Sequence, residues 1–145
     1  MTDPAASADT VREPITGEGY AVASIDGLGE GWGFRKIRAG LDLKEFGANA
    51  IVMPPHYEAG PHFHDDQEEL YIVHSGLIEI VFHESEPRRL GPGGLARVDA
   101  KTVRRLRNVG DEDAVIVIVG AKGGYVGRDG HIPDGEARAG GPIDG

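Results

Sequence analysis

The stretch Gly60-Pro61-His62-Phe63-His64-Asp65-Asp66-Gln67-Glu68-Glu69-Leu70-Tyr71-Ile72-Val73-His74-Ser75-Gly76 holds the most decisive residues of this chain. Its second half is a β-strand pattern, with β-branched and aromatic residues closed by the Ser75-Gly76 turn. Its first half places two imidazoles two residues apart. If 61–64 is extended, His62 and His64 project from one face, about 7 Å apart. At that spacing they can converge on one ion at about 2.0–2.1 Å each. Glu69 opens the next strand after the polar turn Asp65-Asp66-Gln67 and can add a carboxylate oxygen. Two histidines and one carboxylate with open positions suit non-haem Fe(II), and also Mn, Ni, Co or Zn. The plain alternative is an exposed His pair on a solvated strand, with Glu68 and Glu69 as surface charges. Tyr71 shares the parity of Glu69 and is expected to line the same interior, as a ligand contact or a packing aromatic. His74 falls on the opposite face. His56 and His83 sit at strand ends and His131 in a Gly-rich segment, so all four are expected on the surface.

Outward from this stretch, short apolar runs recur at 32–38, 46–53, 68–74, 77–83, 95–99, 103–108 and 114–120. Turn residues separate them: Pro54-Pro55, Ser75-Gly76, Ser85-Glu86-Pro87, Gly91-Pro92-Gly93-Gly94 and Gly110-Asp111-Glu112-Asp113. No segment shows convincing helical spacing. Short strands at this density point to an all-β sandwich or small barrel. The run 114–119 is apolar at every residue, so both its faces should be covered. Eight of the 23 glycines lie in 123–145, where apolar periodicity vanishes, and residues 1–18 are small, polar and acidic. Both ends are expected to be flexible arms around one domain, 19–122.

With 145 residues, 39% of them hydrophobic, the chain is long enough for one self-sufficient core. It has no cysteine, which excludes disulfides, thiolate nucleophiles and zinc fingers. A net charge of −9 argues against nucleic acid or anionic membrane as a partner. Arg97, Lys101, Arg104, Arg105 and Arg107 form one basic cluster without interleaved aromatics. Alternation separates Arg104 from Arg105 and Arg107, and this second pair reads as a solvated face or a salt-bridging match for acids on a partner subunit rather than a nucleic-acid groove. No apolar run approaches the ~20 residues of a membrane span, and the first residues lack an apolar signal segment. A cytoplasmic domain with a small-molecule ligand is the expectation.

The spacing His62-x-His64-x4-Glu69-x6-Gly76 resembles the first motif of the cupin superfamily, G-x5-H-x-H-x3–4-E-x6-G. The leading glycine is out of register, since Gly60 stands only two residues before His62. The second cupin motif, G-x5-P-x-G-x2-H-x3-N, can be laid from Gly93 to Asn108. Only its ends match: Asp99, Lys101 and Arg104 replace the Pro, the Gly and the fourth metal-ligating His. The resemblance spans roughly 45–120 and implies a double-stranded β-helix, or jelly-roll barrel, with a divalent metal at His62, His64 and Glu69. It also implies a homodimer formed through sheet edges, and chemistry of the dioxygenase, decarboxylase or isomerase kinds. No catalytic acid, base or nucleophile can be assigned from the sequence.

Arg104 carries donors only and a permanent charge, so it cannot ligate a cation. Three placements are open. It can swing to solvent, pair with Glu69 and block the metal, or bind the carboxylate or phosphate of a ligand beside the metal. The leading expectation is a metal site acting on or binding a small polar metabolite, with Arg104 and Tyr71 as ligand contacts. The alternative is a metal-free binding module in which Arg104 and the His pair hold a small anion without catalysis.

Overall fold

Alternating burial along the apolar runs builds two facing antiparallel sheets in the computed structural model, which describes residues 6–133. In chain order the strands are β1 (Ile15–Gly17), β2 (Tyr20–Val22), β3 (Gly33–Arg35), β4 (Gly47–Met53), β5 (Phe63–His64), β6 (Glu68–Ser75), β7 (Ile78–Phe82), β8 (Arg88–Leu90), β9 (Leu95–Val98), β10 (Arg104–Asn108), β11 (Ala114–Ala121) and β12 (Gly130–His131). The larger sheet runs β3-β4-β11-β6-β9 and the smaller β10-β7-β8, while β1-β2 and β12-β5 form separate pairs. The wholly apolar 114–119 run lies in the centre of the larger sheet with no exposed residue, which is why it tolerates no polar alternation.

The core lies between the sheets. Ile51, Met53, Tyr71, Val73 and Ile116 of the larger sheet meet Ile78, Ile80 and Leu106 of the smaller one. Gly76 makes the turn from β6 into β7 at φ +85°, and a Cβ there would stand 2.7 Å from the Ala114 Cα. Both conditions exclude every other residue. Beside it, the Asn108 side chain is fully buried and fully bonded. Its Nδ2 donates to the carbonyls of Met53 (3.1 Å), Pro54 (3.0 Å) and Glu112 (2.9 Å), and its Oδ1 accepts from the Gly110 N–H (2.9 Å). One side chain thus ties β4, β10 and the turn into β11 together.

Four features depart from the sequence expectations. The 32–38 run is a strand only over Gly33–Arg35; the chain then turns into a one-turn helix α1 (Ile37–Leu41), ended by Asp42 in the left-handed region at φ 57°. Gly40 lets this turn close against Leu28, since a Cβ there would meet the leucine Cδ2 at 2.6 Å. The segment 88–90 is a short edge strand on β7, which its Arg-Arg-Leu composition did not suggest. The expected N-terminal arm, 1–18, has structure over its described part. Val11 is buried and its N–H donates to Ser24 Oγ (2.9 Å), and β1 pairs with β2. The arm expected at 123–145 is ordered over 123–133, where β12 pairs with β5 and Tyr125 lies 4.0 Å beneath the Arg38 guanidinium. Residues 1–5 and 134–145 lie outside the described residues.

Asn108→Ala should lower stability by about 2–3 kcal/mol, because three buried carbonyls and one N–H lose a partner together. Urea unfolding with an unchanged m value measures this. Asn108→Asp, which keeps the shape but faces those carbonyls with an acceptor, should be worse than Ala at neutral pH.

Candidate metal centre

The geometry of the site begins with the backbone. The segment 57–64 runs antiparallel beside β10 and extends the smaller sheet, with His62 and Arg104 directly opposed: the His62 N–H donates to the Arg104 carbonyl (3.0 Å) and the Arg104 N–H to the His62 carbonyl (2.9 Å). Directly opposed residues of an antiparallel pair point to the same face. Arg104 therefore enters the barrel beside His62, and its side chain is 0% exposed. Alternation along 62–64 brings the His64 ring to the same side, with ring centroids 5.1 Å apart at 82°. From the opposite sheet, alternation in β6 turns Glu69 and Tyr71 inward and Glu68 and Leu70 outward.

One carboxylate oxygen collects these groups. Glu69 Oε1 accepts a hydrogen bond from the Tyr71 hydroxyl (2.9 Å), and lies 3.3 Å from His64 Nε2 and 3.6 Å from Arg104 Nη2. Arg104 also donates to the carbonyls of Ala100 and Asp99, each at 3.3 Å, while its Nε is buried without a hydrogen-bond partner. Of the three placements open from the sequence, the structure has Arg104 turned inward and paired with Glu69. Tyr71, also inward, is 1% exposed, and its hydroxyl is committed to Glu69.

Burial acts on each of these groups and their neighbours decide the outcome. Burial, then the Arg104 charge, push the His62 pKa down to about 4 against the opposing pull of Glu69, so this imidazole is neutral at pH 7. Burial also disfavours the charged form of His64, yet its contacts with Glu69 and Asp129 outweigh it and raise its pKa above the ordinary imidazole value. For Glu69, burial favours the acid, but His64, Tyr71 and Arg104 more than compensate and hold it ionised. Burial and the Glu69 charge raise the Tyr71 hydroxyl well above its ordinary value, which keeps it a donor.

Two further members of the site carry no signal in the sequence. Asp129, from the C-terminal arm, accepts from His64 Nδ1 through Oδ1 (2.7 Å). Gln67 donates its side-chain amide to the same carboxylate oxygen. Nothing in the pattern Gly127-Arg128-Asp129-Gly130 distinguishes this aspartate from a turn residue. The remaining histidines lie elsewhere: His56, His74 and His83 are exposed, and His131 pairs at the surface with Asp65 (2.7 Å).

This donor set fits a divalent ion. One nitrogen of each histidine and one oxygen of Glu69 all lie within 4.8 Å of one another, so that small side-chain adjustments would let one ion sit between them at about 2.0–2.1 Å from each. His64 Nε2 is buried and approaches Glu69 without hydrogen-bond geometry, leaving that nitrogen available as a ligand. The carboxylate on its other nitrogen is the outer-shell partner that metal-bound histidines usually have. Against the ion stands the Arg104 charge, in contact with one of the three ligands.

Among the described residues no helix is long and apolar enough to cross a membrane. Three other members of the basic cluster are matched by acids: Arg107 with Glu79 (3.0 Å) and Glu58 (3.3 Å), Arg97 with Asp99 (3.5 Å) and Lys101 with Asp65 (3.4 Å).

No curated protein matches the chain. Among solved structures, a cupin protein from Bacteroides fragilis is similar at 19% identity and TM-score 0.62, over 76% of this chain and 90% of that one. A sugar phosphate isomerase of the cupin superfamily from Silicibacter pomeroyi is similar at 19% identity and TM-score 0.59, over 81% and 67%. The DMSP lyase DddQ from Ruegeria pomeroyi is similar at 23% identity and TM-score 0.54, over 63% of this chain and 46% of that one. The chain spans about half the length of several structures that it matches, such as this lyase and the Schizosaccharomyces pombe Cnp3 cupin domain (53%). At these identities the likeness establishes the fold. The cupin domain family itself matches residues 49–120, the part of the barrel that holds both histidines, Glu69 and Arg104. By sequence family and by fold, this chain belongs to the cupin superfamily.

Proposed function

We propose that this protein holds a divalent metal ion at His62, His64 and Glu69 and binds a small oxyanion-bearing metabolite beside it, directed by Arg104. The observation that carries this is the convergence of the three donors inside the barrel, with a buried carboxylate on the far nitrogen of His64. A bound ion supplies Lewis acidity, polarising a carboxylate or carbonyl, or a place to activate dioxygen. The chain's own residues set the rest. Tyr71 orients Glu69, neutral His62 offers a lone pair without first losing a proton, and Arg104 adds a fixed positive charge with planar donors suited to a carboxylate or phosphate. A guanidinium with one buried N–H unpaired favours a ligand with oxygen acceptors.

A second reading has its own observation. The Arg104–Glu69 contact at 3.6 Å supports a metal-free module in which the guanidinium neutralises the carboxylate, and Arg104 with the His pair takes only an anion. At about 4 Å and an effective dielectric of 20, Arg104 opposes each unit of metal charge by about 4 kcal/mol. Metal therefore binds only if Arg104 gives up part of its hold on Glu69. The homodimer expected from the family also has a feature in its favour. Leu70 and Leu95 are exposed on the outer face of β6 and the edge strand β9, where sheet-edge pairing would cover them.

Added Co(II), Ni(II) or Zn(II) should raise the melting temperature of untagged protein by mass action. His62→Ala and His64→Ala should each abolish that rise while the metal-free barrel stays folded. A rise that persists in the double variant, or no rise in the wild type, removes the metal site.

Arg104→His replaces a fixed charge by a neutral imidazole. If even about 2 kcal/mol of the repulsion survives screening, isothermal titration should show metal binding tightened more than tenfold. The same substitution should weaken binding of small carboxylates, so the two affinities should move in opposite directions. Under the metal-free reading only the carboxylate affinity changes.

Metal uptake should also weaken as the pH falls. His64 keeps its proton to a higher pH than a free imidazole, so below its raised pKa the ion must displace a proton. Titrations in two buffers of different ionisation enthalpy should show that release.

A further inference from the structure

The arm after β11 ends on a single carboxylate in the site. Asp129 Oδ1 accepts from His64 Nδ1 (2.7 Å) and from the Gln67 side-chain amide. Its Oδ2 accepts from the backbone N–H groups of Asp66 (2.8 Å) and Gln67 (3.1 Å). The side chain is 8% exposed, although it belongs to a Gly-rich segment with little core of its own. All these donors lie in 64–67, the turn that joins the histidine pair to Glu69. One carboxylate therefore sets both the His64 ring and the link between the two ligand-bearing segments.

The arm is shaped to deliver it. Gly130 pairs with His64 and His131 with Phe63 in the β12–β5 ladder. An added methyl at Gly130 would stand 3.3 Å from His64 Cε1, so the arm lies directly against the ligand ring. With its Nδ1–H given to Asp129, His64 can present only Nε2 to His62 and Glu69.

Resting on the metal site proposed above, we infer that Asp129 is a positioning residue for the metal centre and that the arm 123–133 and the ion bind the barrel cooperatively. Asp129 fixes the tautomer and orientation of His64, which raises metal affinity. By thermodynamic reciprocity, the ion holds the arm in place by the same factor. A simple tether for the arm would share the geometry but not this coupling.

Full-length wild type, Asp129→Ala, Asp129→Asn and His64→Ala can be titrated with Co(II), following its visible absorption. Limited proteolysis within the arm is compared with and without the ion. Asp129→Ala should bind Co(II) about 10–100-fold more weakly, with an altered spectrum. Asp129→Asn, whose carbonyl still accepts from His64 Nδ1–H, should lose less. Because it is nearly isosteric, it also keeps the test open if the alanine variant does not fold. Co(II) should slow cleavage of the wild-type arm and have no such effect in Asp129→Ala or His64→Ala. Wild-type Co(II) affinity and spectrum in both Asp129 variants, with only faster arm cleavage, would overturn the inference and leave the metal site intact. Absence of His64-dependent Co(II) binding in the wild type would overturn both.

Discussion

The reciprocal backbone bonds between His62 and Arg104 are the constraint on which the site depends. They place an imidazole and a guanidinium on the same inward face of the same sheet. A one-residue slip of either strand would turn its own member of the pair outward. The same register sends Leu106 into the core and Asn108 to its four-bond position at the barrel end. Site, core and turn are consequences of one strand pairing.

Arg104 is an uncommon residue to bury, and its surroundings show what makes it tolerable. Glu69 and two backbone carbonyls face it, while His62 stays neutral beside it. Glu69 in turn is kept ionised by three neighbours at once, His64, Tyr71 and Arg104. Removing one member leaves another charge uncompensated in a low dielectric, a situation far more costly than loss of the pair as a whole. The cluster is therefore tuned as a set. An incoming cation competes with Arg104 for Glu69, and an incoming anion competes with Glu69 for Arg104. Metal and anion together satisfy both, which is the physical content of the proposed function.

The C-terminal arm brings a second carboxylate into this balance from outside the family-matched region. Gly-rich composition predicts mobility because such a segment buries too little apolar surface to offset its ordering entropy. Over 123–133 that deficit is met by polar anchoring instead: the cation–π contact of Tyr125 with Arg38, the Asp129 bonds and the His131–Asp65 pair. Ordering supported by a few specific bonds is easily coupled to events at the site where those bonds end.

Local spacing in the sequence determined much of this protein. Period-two alternation and turn residues located most of the strands of both sheets, and the parity of 62, 64, 69 and 71 brought the donor set to one interior. Parity also sent His74 outward, as found. Each of those inferences depends on neighbours within a few residues, where backbone geometry alone settles direction. Only the tertiary structure decided the others. Whether Arg104 faced solvent or Glu69 depended on the register between 57–64 and β10, a pairing across some forty residues that no local pattern encodes. The one-turn helix that begins at the end of the 32–38 run packs closely on Leu28 at Gly40, a contact no local pattern announces. Asp129 reached His64 because a distant arm folded back over the barrel, a long-range contact between two residues whose own neighbourhoods are ordinary turn sequence.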